Sequence, residues 1–282
     1  MNPSCASKDR QAALASVEGT LDGKVQIRAR VKSNTELYGH GLPSPAWLLW
    51  MDTPSLARVA KPGQFVMVRC GEGHDPLLRR PLSIHKTDDS GGVALLFEVV
   101  GRGTSWLSQR VPGDLVDLMG PLGNGFSVQP DAKDLLLVAG GIGIAPLVFL
   151  AEMARKIGKG VDMLPGAQTA ALLYPRDHLP QISIVDGSTD DGSVGIKGPV
   201  TGLIDRYIEQ ADQVFACGPI AMYKAMAGLD CLKGKSVQIS LEVMMACGIG
   251  ACYGCTVKTR NGLKQVCQDG PVFELSDIDW RG

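Results

Sequence analysis

Four cysteines near the C-terminus constrain this chain more than any other feature. Cys247-Gly-Ile-Gly-Ala-Cys252-Tyr-Gly-Cys255, followed by Cys267, has the spacing C-x4-C-x2-C-x11-C. The first three follow the plant-type arrangement that holds a [2Fe–2S] cluster, with a fourth cysteine arriving from farther along. A loop folded over two irons must turn sharply and bring its amides close to sulfur. Gly248, Gly250 and Gly254 supply positive φ and unhindered N–H groups for that purpose. Structural zinc prefers two close cysteine pairs, which the distant Cys267 fits poorly, yet zinc and independent buried thiols stay open on spacing alone. Disulfides fit less well, because nothing upstream reads as a secretory signal.

The chain has 282 residues, enough for two or three modest domains with a buried core. A formal net charge of −1 argues against bulk electrostatic binding to nucleic acid or to an anionic membrane. No apolar run reaches the ~18 residues that a spanning helix needs. Cys5, Cys70, Cys217 and Cys231 are scattered, which suits a reducing cytoplasm better than a disulfide framework. Residues 1–21, rich in Ala, Ser and charge, read as a flexible tail.

Residues 22–130 carry short apolar runs broken by turns. Alternation at Val25, Ile27, Ala29 and Val31 is followed by Trp47–Met51, Gln64–Arg69, Pro81–Ile84, Val93–Val100 and Leu115–Met119. Strands at this regular spacing predict a closed antiparallel barrel. Over 131–236 the pattern becomes alternating. Leu135–Ala139 is a continuous apolar run, as in a strand buried on both faces, and a helical stretch follows through Lys156. Further strands are expected at Ala170–Leu173, Ile182–Val185, Val214–Cys217 and Val237–Ser240, with helices at Leu203–Gln210 and Ile220–Met226. That alternation predicts a parallel α/β sheet. Residues 237–282 form the small cysteine segment. The expected fold class is therefore multi-domain: a β-barrel, a parallel α/β domain and a C-terminal cluster segment.

Two stretches look suited to nucleotides. Arg80-Pro81-Leu82-Ser83 places a guanidinium and a hydroxyl on a barrel strand, with Pro81 pointing to an edge or bulge that can offer backbone groups to a flat ring. Gly101-Arg-Gly103-Thr104-Ser105 precedes a short helix expected at Trp106–Arg110, an arrangement that suits an anion. Either could equally be a surface arginine or an ordinary turn; together they favour a flavin. Gly140-Gly141-x-Gly143-x-x-Pro146 follows a buried strand and opens a helix, as a phosphate-binding turn does, although proline replaces the last glycine of the full fingerprint. Cys217-Gly218-Pro219 ends a later strand at the carboxyl edge where α/β sheets bind ligands. Cys217 there is either core packing or a neighbour of a nicotinamide.

These residues resemble the ferredoxin-NADP reductase superfamily: R-x-x-S for flavin, G-G-x-G-x-x-P for nicotinamide, and C-G-P beyond it. Within it, the run Met245–Cys255 is similar to the electron-transfer subunit of NAD-dependent (class 1B) dihydroorotate dehydrogenase. Leu122-Gly-Asn-Gly-Phe126, Thr189-Asp-Asp-Gly-Ser-Val-Gly195 and Val266-Cys-Gln-Asp-Gly-Pro-Val-Phe273 fit the same branch. The resemblance implies FAD held by Arg80–Ser83, Phe97, Glu98, Val99, Gly103 and Thr104. It implies NAD at the two glycine motifs, and a [2Fe–2S] cluster on Cys247, Cys252, Cys255 and Cys267. One stretch departs from it. Where the family places a glycine-alanine-arginine turn, the residues read are Leu173-Tyr174-Pro175-Arg176, preceded by Met163-Leu-Pro-Gly166. Only Arg176 then stands to meet a 2′-phosphate, and Asp190 and Asp191 nearby favour NAD over NADP.

The resemblance further implies an FMN-containing catalytic subunit that oxidises dihydroorotate, joined to this chain in a heterotetramer. Electrons would cross the cluster to FAD and leave on NAD. The three segments account for the whole chain, whereas a TIM barrel for the pyrimidine chemistry needs about 250 further residues. The chain alone is therefore expected not to oxidise dihydroorotate, and no catalytic acid or base is assigned within it. Met244, Met245, Tyr253 and Trp280 are candidate partner contacts, with local packing as the other reading. The alternatives are a subunit of an NADH-dependent ferredoxin:NADP oxidoreductase, or a zinc-stapled binding protein without redox activity.

Overall fold

A computed structural model of the chain describes residues 19–21, 24–73, 75–182 and 184–280. The expected tail falls mostly outside these residues, as do Cys5 and Ser183. Gly19–Leu21, placed in that tail from sequence, instead form a short strand, β1, paired antiparallel with the next one.

The barrel strands are β2 (Lys24–Tyr38), β3 (Ala46–Asp52), β4 (Phe65–Val68), β5 (Arg80–Thr87), β6 (Gly92–Glu98) and β7 (Leu115–Leu122). Their order is β2-β3-β6-β5-β4-β7, and β7 returns to β2. The long β2 makes closure possible. Its first half pairs with β7 from Val25 to Arg30, and its second half pairs with β3 from Arg30 to Tyr38. Register shifts after Val31 and Glu36 bend the strand between those partners. Ile27, Ala29 and Val31, the alternating residues of the sequence pattern, fill the interior with Leu49, Val66 and Leu95.

The second sheet runs β12-β11-β9-β8-β13-β14-β17, with β10 also on β9. Its central strands are β8 (Asp134–Gly140), β9 (Gly160–Ala167), β13 (Gln213–Cys217) and β14 (Ser236–Ser240). The outer ones are β10 (Ile184–Val185), β11 (Ser188–Thr189), β12 (Ile196–Lys197) and β17 (Val272–Glu274). All pairings are parallel except β14 with β17. The chain reverses its winding at β8, which has β9 on one side and β13 on the other, so a crevice opens at their carboxyl ends. The sheet also extends across the 236/237 boundary, because β14 and β17 both belong to it.

One strand expectation is overturned. Ala170–Leu173 is not a strand: Ala170–Leu172 form a 3-10 turn, and the second strand of the sheet is β9 upstream. Pro165 hid it, since proline argues against a central strand. Here Pro165 falls between the β9 residues paired to β10 and those paired to β11, with its carbonyl towards Gly187. The strand ends in Gly166-Ala167 and Gln168 follows, so the glycine-alanine pair is present and glutamine stands where an arginine was expected.

The cysteine segment is built on one hairpin, β15 (Thr256–Thr259) and β16 (Gly262–Gln265), followed by the short helix Val266–Asp269. It packs in a shared core with β4, β7 and β14. Asn124 anchors it: its N–H donates to Gly270 O at 2.6 Å and its side-chain amide to Asp269 O at 3.0 Å. The Leu122–Phe126 motif thus serves as the barrel's clamp on the cysteine segment. Among the described residues, no helix is long and apolar enough to cross a membrane.

Candidate electron-transfer site

The x11 spacing has a plain structural origin. The hairpin Thr256–Gln265 pairs Thr256 with Gln265, so it carries the chain out and back and returns Cys267 beside Cys255. The Cys267 amide points at Cys255 Sγ at 3.5 Å. On the loop side, the amides of Ile249 and Gly250 point at Cys247 Sγ (3.5 Å) and Cys267 Sγ (3.1 Å). Gly248 and Gly250 take φ of 72° and 83°, whereas Gly254 does not take the expected positive φ, and Tyr253, a residue with no such licence, takes 59°. The sequence pattern did not reveal the strained Tyr253.

The thiols stand as two pairs. Cys247 and the exposed Cys252 lie near the surface, whereas Cys255 and Cys267 are buried together, with the Cys267 amide directed at Cys255 Sγ. Burial raises Cys247, but the Ile249 amide, the Cys252 thiol and the Cys252 and Ala251 amides outweigh it and bring it to about 7. Burial, then the Cys255 thiol, pushes Cys267 up to about 12. Among the described residues, no three His, Cys, Asp or Glu side chains converge as one metal ion requires. Two pairs with amides directed at sulfur instead fit a binuclear iron–sulfur cluster, in which each iron takes two thiolates.

The flavin candidates line one opening in the barrel. Strands β5 and β6 pair from Thr87/Val93 to Ile84/Leu95 and no farther. Beyond that, Arg80–Ser83 keep only β4 as partner, and Leu96–Glu98 keep only β3. Pro81 was expected at an edge; β5 is an inner strand, but this half of it is locally an edge. The helix Arg102–Ser108 closes the far end, beginning earlier than expected, so Gly103 and Thr104 lie inside its first turn. Thr104 Oγ1 accepts from the Val100 and Gly101 amides at 3.0 and 3.3 Å. A Cβ on Gly103 would lie 2.9 Å from Arg80 Nε, so the two motifs meet through the missing side chain. Arg79, in contrast, is tied to Asp117 at 2.9 Å and braces the barrel. Phe97 is buried in the core, Glu98 is half-buried, and Val99 follows directly. An unpaired backbone edge beside a guanidinium and a helix start fits a flavin nucleotide.

The nicotinamide candidates also meet. Cys217 is in register with Ala139, which brings the ends of β8 and β13 together. Gly143 presses on the Cys217–Gly218 backbone so closely that a Cβ would lie 2.7 Å from Gly218 N and nearer still to the Cys217 carbonyl. On Gly140 a Cβ would meet Pro219 at 2.8 Å. Pro146 is buried in the helix Ile144–Lys156. Tyr223, missed in the sequence, fixes this corner: its hydroxyl accepts from Gly218 N at 2.8 Å and donates to Ser240 O at 2.6 Å. Burial, then the nearby Glu242, pushes the Cys217 thiol up to about 12, so it stays neutral. Burial and then Glu242 also raise Glu98. At the outer end, Asp190 N and Asp191 N donate to Ala167 O and Gln168 O at 3.0 and 3.2 Å, so the acidic loop sits on the glycine-alanine turn.

Of the four candidate partner contacts, Met244 is 91% exposed and Tyr253 70%. Met245 is instead buried in the core, and Trp280 is partly buried, donating to Leu275 O at 3.0 Å. Those two pack locally.

A barrel with this opening, joined to a parallel sheet with a glycine-rich switch point, has the ferredoxin-NADP reductase-like fold. A ferredoxin NADP+ reductase from Neisseria gonorrhoeae, solved with bound FAD and NADP, shares it at TM-score 0.58 and 19% identity, covering 72% of this chain and 89% of that one. The structure of an NADH-dependent reduced ferredoxin-NADP oxidoreductase is more similar: TM-score 0.79, 30% identity, 93% of this chain and 91% of that one. Residues 242–279 match the iron-sulfur cluster binding domain of dihydroorotate dehydrogenase B. The electron transfer subunit of dihydroorotate dehydrogenase B (NAD(+)) from Desulforamulus reducens is 43% identical over 237 residues, 81% of this chain and 90% of that one. Its counterpart from Bacillus caldolyticus is 40% identical over 224 residues, 77% and 86%. The chain belongs to this family of electron transfer subunits.

Proposed function

We propose that the chain relays electrons from a dihydroorotate-oxidising, FMN-containing partner to NAD, in the cytoplasm and within a heterotetramer. When bound, FAD exchanges hydride with nicotinamide and single electrons with an iron–sulfur cluster, and that chemistry belongs to the cofactor. The chain's task is placement. Cys247 and Cys252 would hold one iron, and Cys255 and Cys267 the other. Arg80 and the first turn at Gly103–Thr104 would bind the flavin pyrophosphate, and the free edge of Arg80–Ser83 would orient the ring. Gly140–Gly143 and Cys217–Pro219 would seat the nicotinamide nucleotide, with the acidic 190–191 loop opposing a 2′-phosphate.

One observation carries the reading. Gly248 of the cysteine loop lies against Met67, where a Cβ would stand 2.5 Å from Met67 Cγ, and Met67 pairs directly with Pro81 of the flavin edge. The cluster loop is thus one strand away from the flavin strand. Met244 and Tyr253 leave the outer cysteine pair on an exposed apolar rim, which suits a docked donor. The unpaired thiols at Cys70, Cys217 and Cys231 support the cytoplasmic assignment. The test is anaerobic purification of the chain with assay of FAD, iron and acid-labile sulfide, then reduction by NADH. Flavin with sulfide and a reduced-state paramagnetic signal is expected; a colourless protein holding zinc would refute the relay.

A further inference from the structure

We propose that His85 is a positioning residue for hydride transfer. Its imidazole, carried on β5 directly behind the flavin edge, bonds the Ala145 carbonyl and so sets the distance between that edge and the Gly141–Gly143 turn. The inference rests on the flavin and nicotinamide reading above.

His85 lies two residues beyond Ser83 and is wholly buried. Its Nδ1 is 2.8 Å from Ala145 O and its Nε2 is 3.0 Å from the Tyr174 hydroxyl. A carbonyl only accepts, so Nδ1 carries the proton and Nε2 accepts from Tyr174. Ala145 is in the first turn of the helix that the glycine-rich turn opens, two residues past Gly143. One imidazole therefore ties together the flavin strand, the nucleotide-binding turn and the stretch around Tyr174. The next residue repeats the link: Lys86 pairs with Glu152 of the same helix at 3.0 Å and donates to His178 O at 2.9 Å. Phe149, also on that helix, is buried in the barrel core.

Apolar packing alone would join the two domains without fixing their spacing, because it has no direction. A buried polar residue is costly unless its bonds are made. Here both are made, and one runs to the nucleotide turn. Burial above all pushes the imidazole down to about 3, with the neighbouring charges of Lys86 and His178 acting the same way against the Ala145 bond. The ring stays neutral at working pH. The turn itself is held separately, by the contact of Gly143 with Cys217–Gly218. Loss of the strut should therefore shift a bound nucleotide relative to the flavin without spoiling its binding.

Two variants of the full chain separate the bonds. His85→Asn places an amide nitrogen near the Nδ1 position and keeps the donor to Ala145. His85→Gln places an oxygen near Nε2, accepts from Tyr174 and loses that donor. Stopped-flow bleaching of bound FAD by NADH reads the limiting rate and the half-saturating NADH concentration. His85→Asn is expected within about threefold of the parent rate, and His85→Gln about 10- to 100-fold slower, as a misplacement near 1 Å produces. Half-saturation and FAD content should move less than about threefold in both, which a general loss of structure would not allow. A His85→Gln rate equal to the parent's, or equal slowing in both variants, overturns the proposal. Should His85→Gln not retain FAD, His85→Asn decides: a near-parent rate supports the strut and a tenfold loss overturns it. If the parent chain itself holds no flavin that NADH bleaches, the flavin–nicotinamide reading has failed and the strut falls with it.

Discussion

Replacing Gly143 by alanine should disable nicotinamide chemistry while sparing the flavin and the cluster. Gly143 has φ −59° and ψ −11°, a helical conformation open to any residue. Its requirement is therefore steric. A Cβ there would lie 2.7 Å from Gly218 N and closer to the Cys217 carbonyl, and both are backbone at the end of β13. Ordinary contact needs roughly 3.5 Å, so the turn must lift by about 1 Å from Cys217–Gly218. No flexible side-chain tip is there to absorb the shift. Overpacking of this kind costs about 1–3 kcal/mol of stability. A 1 Å displacement of a reacting group costs up to about 100-fold in rate. The assay is NADH-driven reduction of bound FAD, beside thermal unfolding and FAD content. Gly141→Ala is the control, since its Cβ meets nothing within 4 Å and only φ of +54° opposes it. Gly143→Ala should lose at least about tenfold more rate than Gly141→Ala, and parity between the two would show that the contact with β13 does not govern the site.

Other outcomes follow from the same geometry. Cys252→Ser should abolish the cluster's visible absorbance and electron exchange with the partner, yet leave NADH reduction of an artificial acceptor; loss of both would mean that this exposed residue supports the fold. Arg80→Ala should release FAD on purification, because Arg80 is the guanidinium that lies over Gly103, and undiminished flavin content would count against that role. His85 has a folded-state pKa depressed to about 3, so its contribution is fully present above the unfolded value near 6.5 and is lost as pH falls towards 3. Between pH 7 and pH 5 this costs about 2 kcal/mol, and denaturant titration should find a smaller loss in His85→Asn. Assayed without its partner, the chain should show no dihydroorotate oxidation; turnover by the isolated chain would overturn the division of labour.

The barrel was legible because its strands alternate or run apolar over short spans, and β3 and β7 fall where those runs do. The β9 strand was not legible. Pro165 reads as a strand breaker, and only the gap between two short partner strands makes it tolerable. That miss moved the glycine-alanine turn onto Leu173–Arg176, a stretch that instead supplies Tyr174 to the inter-domain seam. For Met245 and Trp280 the sequence left partner contact and local packing open, because proximity to the cysteines says nothing about which way a side chain faces, and both pack against the core. Tyr223 and His85 carry no motif at all, and their importance lies in partners 17 and 60 residues away.

Cysteine spacing and glycine placement alone narrowed the chemistry this chain can support, since covalent reach and positive φ are local properties of neighbouring residues. The meeting of the sites belongs to tertiary structure. Gly248 against Met67, Arg80 over Gly103 and Gly143 on Cys217 each set a loop or helix residue against a strand, contacts that only tertiary packing makes. Electron and hydride transfer depend on those separations, and register is set by packing across the whole fold, not by any local run of residues.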